Sequence, residues 1–89
     1  MNLEKNWKLK VDLGVYKDLL KFPKDYAEKI LDVILSLGDN PYGGDIEKIK
    51  GEENTWRRRV GSYRIFYEIY PEFSFVHVLW VERRGSKTY

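Results

Sequence analysis

Trp7, Leu9 and Val11 alternate with Lys8 and Lys10, the period-two pattern of a strand with one buried face. From Asp12 the period lengthens. Val15, Tyr16, Leu19, Leu20 and Phe22 supply the apolar positions of a short helix that Asp12 can cap. Pro23 ends that helix and suits the opening of a second one. In the second helix Tyr26, Ile30 and Ile34 form one i, i+4 series and Ala27, Leu31 and Leu35 its neighbour, giving one broad apolar face. Gly38 is a suitable C-terminal stop. Asp39 to Gly44 reads as a loop, and Ile46 and Ile49 are expected to pin a short connector to the core. Strand-like runs near 54–60 and 63–70 flank Gly61-Ser62, Pro71-Glu72 marks another turn, and Phe75 to Val81 is nearly continuous apolar sequence. The order β-α-α-β-β-β predicts an α+β fold, with two N-terminal helices packed on one face of a mostly antiparallel sheet. Residues 1–89 are expected to form a single domain.

The hairpin at 54–70 carries the most chemical information. A two-residue turn at Gly61-Ser62 pairs Val60 with Tyr63 and sets Arg59 opposite Arg64. By alternation Arg57 shares their face, together with Phe66 and Glu68, while Trp56, Val60, Tyr63, Ile65 and Tyr67 point toward the helices. Like charges directly opposite one another weaken a sheet, so this arrangement predicts an anion held between the guanidiniums. A phosphate is the obvious candidate, because the planar arginine fork grips it with two hydrogen bonds. Against that stands the plainer reading of a solvated strand face. Arg58 misfits the alternation: either its stem snorkels from the core to the sheet edge, which we favour, or the strand is bulged there.

Charge tips the balance toward the anion. The chain carries a net charge of only +2, but residues 57–89 hold seven Lys/Arg against three acids and residues 1–56 nine against eleven. A basic C-terminal third suits nucleic acid, and equally an acidic protein partner. Cysteine is absent, which excludes disulfides, thiolate metal sites and a cysteine nucleophile. Met1 to Lys10 has no apolar signal region and no apolar run approaches the roughly 20 residues of a membrane span. A soluble, cytoplasmic protein without membrane contact is expected.

The acids are scattered, so neither a two-metal site nor any other metal or cofactor is expected. The lone histidine, His77, falls within an apolar strand, where a structural role is expected, and one histidine cannot run a two-histidine ribonuclease mechanism. Arginine, lysine and tyrosine remain. Cleaving RNA without metal requires removal of the 2′-hydroxyl proton, neutralisation of charge on the phosphate and help for the leaving 5′-oxygen. Clustered arginines supply the second. A tyrosine among cations can supply the first, since they favour its phenolate, and Tyr89 in the basic tail is the best placed; its plainer reading is a frayed terminal residue.

The segment Trp-Arg-Arg-Arg-Val-Gly-Ser-Tyr-Arg-Ile-Phe-Tyr-Glu-Ile at 56–69, followed by a strand and Arg83-Arg84-Gly85 with Tyr89, resembles the RelE/ParE superfamily of toxin–antitoxin toxins. Leu-Lys-Phe-Pro-Lys at 20–24 and Ile-Lys-Gly at 49–51 are similar to that family too. The resemblance spans essentially the whole chain. It implies a RelE-type fold and, for RelE-like members, cleavage of mRNA in the ribosomal A site. Carried over by position, the implied catalytic set is Arg57, Arg59, Arg64 and Arg83 on the phosphate and Tyr89 as general base. Arg84 and Lys87 of the basic tail and Phe66 are assigned to RNA binding; Phe66 and Trp80 are candidates to stack on bases, although packing under the helices is the more common fate of such rings. The chain departs from many relatives in having arginines where some have hairpin lysines, Arg83-Arg84 where many have His-Arg, and a terminal tyrosine.

The implied partners are a cognate antitoxin in a hetero-oligomer, mRNA and the ribosome, with operator DNA reached only through the antitoxin. Two alternatives are carried forward: a ParE-like toxin that inhibits DNA gyrase, and a catalytically weak co-repressor that acts by binding its antitoxin.

Overall fold

The computed structural model describes residues 7–84. Its elements are β1 (Lys8–Val11), α1 (Leu13–Leu20), α2 (Lys24–Ser36), β2 (Ile46–Lys48), β3 (Thr55–Val60), β4 (Tyr63–Tyr70), a single 3-10 turn (Pro71–Phe73) and β5 (Phe75–Arg83). The five strands lie in the order β1-β5-β4-β3-β2, antiparallel throughout except where β1 runs parallel to β5. The expected α+β architecture is present, with one strand more than the apolar pattern predicts. The connector around Ile46 is a short edge strand, because Ile46, Glu47 and Lys48 pair with Arg58, Arg57 and Trp56 of β3.

Helix α1 buries Val15 and Leu19, and α2 buries Ile30 and Ile34, each pair one i, i+4 step. They close on the helix-facing side chains of the sheet: Val60, Tyr63, Ile65, Tyr67, Ile69, Val76, Val78 and Val81. Each fully buried aliphatic side chain here contributes about 1.5–3 kcal/mol. The helical faces are narrower than the sequence predicts. Tyr16, Leu20, Tyr26 and Leu35 are exposed, while Leu37, just beyond α2, is fully buried. Helix α2 stops at Ser36 with Leu37 as its cap residue, and the Gly38 amide donates to the Leu35 carbonyl at 3.1 Å. Asp12 sits at the N-cap of α1 but forms no side-chain cap; its carboxylate reaches His77 instead.

The hairpin register follows the turn. Val60 pairs with Tyr63 and Arg59 with Arg64, and Gly61 takes φ 60°, the left-handed value that the first position of a type II′ turn requires. The register of β3 with β4 runs unbroken through Arg58, which pairs with Ile65 on the helix side. Arg58 therefore leaves the core by its stem, and its Nη1 donates to the Gly43 carbonyl at 3.2 Å. The irregularity lies one strand further on. Phe66 pairs with Trp80 and Tyr67 with Val78, so Leu79 is an extra residue in β5. This bulge carries Trp80 and Glu82 onto the face away from the helices, beside Phe66 and Arg64. Beyond Val78, the last β5 residue paired with β1, the outer edge of β5 meets α1, and the Val81 amide donates to Asp18 at 3.1 Å.

Candidate nucleic-acid interface

The face of the sheet not covered by helices brings Arg57, Arg59, Arg64 and Phe66 together. Arg59 turns its amide away from β4 and donates it to the Asp45 carbonyl at 2.9 Å, so Arg59 and Arg64 form a non-hydrogen-bonded pair, the kind whose side chains approach most closely. Each guanidinium faces a carboxylate of the same chain. Arg57 is hydrogen-bonded and ion-paired to Glu47 of β2. Arg59 Nε lies 3.6 Å from Asp45, and Arg64 Nη2 lies 3.7 Å from Glu82. The Nε of Arg64 is buried without a hydrogen-bond partner. The cross-strand repulsion between Arg59 and Arg64 is thus offset by two flanking acids, Asp45 and Glu82, which the hairpin alone does not reveal. Asp45, Glu47 and Glu82 are solvent-exposed, so each ion pair contributes little, and a phosphate with its stronger, bidentate grip can displace them.

Phe66 and Trp80 stack on this same face with ring centroids 4.6 Å apart and planes 15° from parallel. Trp80 is half-exposed, and its Nε1 donates to Glu82 Oε1 at 3.3 Å. Glu82 therefore touches both the aromatic stack and Arg64, one carboxylate oxygen to each. A shallow cavity of about 390 Å³ opens beside the stack, walled by Ile49, Thr55, Glu68 and Leu79 among others. The arrangement offers a flat π surface next to a row of guanidiniums, which is what single-stranded nucleic acid requires.

His77 lies on this face too, between two carboxylates. Nε2 is 3.0 Å from Asp12 Oδ1 and Nδ1 is 3.6 Å from Glu68 Oε1. The Asp12 bond ties the ring to the start of α1. Two tyrosines are held as neutral phenols. Burial pushes Tyr67 up to about 12 against a smaller opposing pull from Arg58, and its hydroxyl donates to the Pro41 carbonyl at 2.9 Å. Desolvation, followed by a hydrogen bond to Glu68 and the charge of that carboxylate, also raises Tyr70. Neither is therefore suited to serve as a base.

Arg83 does not join the arginine row. As the last residue of β5 it pairs with Tyr63, which puts it by register on the helix side, opposite to Arg64. Arg84 follows the strand end, its amide bonded to the Ser62 carbonyl. Lys87 and Tyr89 lie outside the described residues. Asp45, Glu47 and Glu82 are the site residues that the sequence pattern does not single out. Only Glu82 leaves a trace there, as the acid beside Arg83 in an otherwise basic segment.

Comparison with known proteins decides the family. Residues 11–87 match the model of the ParE toxin of the type II toxin–antitoxin system parDE. The chain belongs to this toxin family. Its relatives include RelE-named proteins, so it is a type II toxin of the RelE/ParE superfamily. A candidate toxin of Methanocaldococcus jannaschii, RelE1, is 29% identical over 73 residues, which cover 79% of this chain and 81% of that one. The toxin is similar in structure to a chain of the RelBE2 toxin–antitoxin complex of Mycobacterium tuberculosis, with a TM-score of 0.78, 22% identity and coverage of 97% and 100%. It is similar also to a chain of the RelE–RelB complex of Pyrococcus horikoshii OT3, with a TM-score of 0.77, 24% identity and coverage of 92% and 99%. For the RelB–RelE antitoxin–toxin complex of Methanococcus jannaschii the TM-score is 0.72, the identity 29% and the coverage 86% and 92%. Among the described residues, no helix of the toxin is long and apolar enough to cross a membrane.

Proposed function

We propose that this toxin is a metal-independent endoribonuclease that cuts mRNA in the ribosomal A site. The observation that carries the reading is the open sheet face, where Arg57, Arg59 and Arg64 stand in one row beside the stacked Phe66 and Trp80. In this reading the scissile phosphate displaces the Asp45, Glu47 and Glu82 carboxylates and takes their guanidiniums. The arginines then neutralise charge as the 2′-oxygen attacks phosphorus and the 5′-oxygen leaves. The products are a 2′,3′-cyclic phosphate end and a 5′-oxygen that takes a proton from water to become a free hydroxyl. Tyr89 is assigned the proton of the 2′-hydroxyl. Arg83 acts from the end of β5 rather than from the row, while Arg84 and Lys87 hold flanking phosphates. The whole of 1–89 works as one toxin domain in the cytoplasm. The ribosome supplies what a small sheet lacks, a splayed and positioned strand.

A cognate antitoxin is the second partner, supported by relatives whose structures are complexes with RelB. It brings acidic and apolar residues across the arginine face, and the pair reaches operator DNA through the antitoxin. A second reading rests on the family model, which is that of the parDE toxin: inhibition of DNA gyrase through a protein contact.

The test is primer extension on an mRNA incubated with the purified toxin, with and without ribosomes, beside Tyr89→Phe. Ribosome-dependent cuts lost in the variant support the mechanism, and cuts that survive it move the base elsewhere. No cuts in either condition, together with a loss of gyrase supercoiling, would replace this reading with the second.

A further inference from the structure

The open face continues past the arginine row to a second cluster with the same chemistry. Tyr70 and Phe75 pair across β4 and β5 and stack, with centroids 6.0 Å apart and planes 26° from parallel. Phe73, in the turn that joins these strands, is 66% exposed. With Glu68 and His77 these three rings line a cavity of about 330 Å³. Lys8 and Lys10 of β1 lie in parallel register beside Phe75 and His77, so they stand on the same face, and both are exposed. None of these residues belongs to the arginine row.

From this we infer a second nucleotide subsite: Tyr70, Phe73 and Phe75 take an unstacked base while Lys8 and Lys10 take its phosphate. The occupant is the continuation of the single-stranded RNA held at Arg57, Arg59 and Arg64, so the inference rests on the ribonuclease reading. Spacing supports one strand over both clusters. Phe66 and Tyr70 are four residues apart on β4, about 13 Å. One base cannot touch both aromatic pairs at that distance, but successive nucleotides of a splayed strand can. Charge gives the path. Glu68 sits between the two pairs, its carboxylate facing His77 on one side and bonded to the Tyr70 hydroxyl on the other. The backbone is therefore steered off the centre line toward β1, where the lysines are, with the bases turned inward to the rings. Phe73 is exposed and Tyr70 and Phe75 are only half-buried on a face that no helix covers, which leaves an apolar patch beside the lysines.

The test is fluorescence anisotropy of the full-length toxin with 2′-O-methyl RNA, which cannot be cleaved through a 2′-hydroxyl, as a trinucleotide and as a heptanucleotide. The longer RNA should bind more tightly. Phe75→Ala should weaken heptanucleotide binding about tenfold and leave the trinucleotide unchanged. Lys8→Gln with Lys10→Gln, which alters only exposed side chains, should lower the salt dependence for the longer RNA. The log–log slope should fall by about 0.7 for each phosphate that a lysine no longer neutralises. Equal affinity for both lengths, lowered by Arg64→Ala but untouched by the Phe75 and Lys8/Lys10 variants, overturns the subsite and keeps the ribonuclease reading. Failure of wild-type toxin to bind either RNA overturns the subsite, while the ribonuclease reading, in which the ribosome holds the strand, is decided by ribosome-dependent cleavage.

Discussion

Glu82 faces Arg64 across the β4–β5 ladder, its Oε2 3.7 Å from the guanidinium, while its Oε1 accepts the indole N–H of Trp80. A single carboxylate thus occupies the arginine that an anion would need and fixes the ring on which a base would stack. Replacing it with Gln keeps an acceptor for Trp80 and removes the charge. Glu82→Gln should tighten binding of non-cleavable RNA a few-fold at low salt, as expected for the loss of one exposed ion pair, and the gain should shrink as salt rises. Anisotropy at two ionic strengths measures this. Weaker binding by the variant would mean that Glu82 does not compete for Arg64.

Arg59 and Arg64 set function against stability. They are directly opposed and of like sign, so Arg59→Thr should leave the fold as stable or raise it by about 0.2–1 kcal/mol. The same change should cut cleavage about a hundredfold if Arg59 neutralises charge in the transition state. Thermal melts and single-turnover cleavage on one preparation separate the two effects. A less stable and fully active variant would contradict the assignment.

Gly44 carries a purely structural prediction. Its φ is +83°, and a Cβ placed there would lie 2.3 Å from Cζ of Arg58. The guanidinium can swing away, but only by giving up its bond to the Gly43 carbonyl, and the left-handed backbone remains strained for alanine. Gly44→Ala should cost about 1–2 kcal/mol in urea unfolding, with activity per folded molecule unchanged, since Arg58 lies on the helix side of the sheet.

Tyr67 predicts an alkaline limit. Its folded-state value is about 12 against an ordinary 10.0, so between those values the unfolded chain loses the proton first. The associated stability is complete below pH 10 and drains away as pH rises through 12. Tyr67→Phe should be less stable than wild type by about 1 kcal/mol at pH 8, because the Pro41 carbonyl loses its donor. The difference should narrow and then reverse across the alkaline window. Parallel curves for the two proteins from pH 9 to 12 would show that this phenol does not govern the loss.

The hairpin is legible in the sequence because two local rules agree on it: Gly61-Ser62 fixes the turn, and alternation from that turn assigns every side chain of β3 and β4 to a face. Local rules fail where a partner decides. Ile46–Lys48 is too short to signal a strand by itself and becomes one only because β3 offers it an edge. Without β2, nothing marks Glu47 as the partner of Arg57. Counting by twos along β5 also fails at Leu79, where the bulge shifts every later residue to the other face. That shift puts Trp80 and Glu82 beside the arginines and Arg83 away from them. The exposure of Leu20 and Leu35 has a similar origin: α1 and α2 present more apolar surface than this sheet covers.

The most direct test is single-turnover cleavage of ribosome-bound mRNA by wild type and Arg64→Ala, with the folded fraction of each fixed by thermal melting. Loss of about a hundredfold in rate with the fold intact is the predicted result. An Arg64→Ala toxin that melts earlier but cuts at the wild-type rate in its folded fraction would contradict the arginine row as the phosphate site.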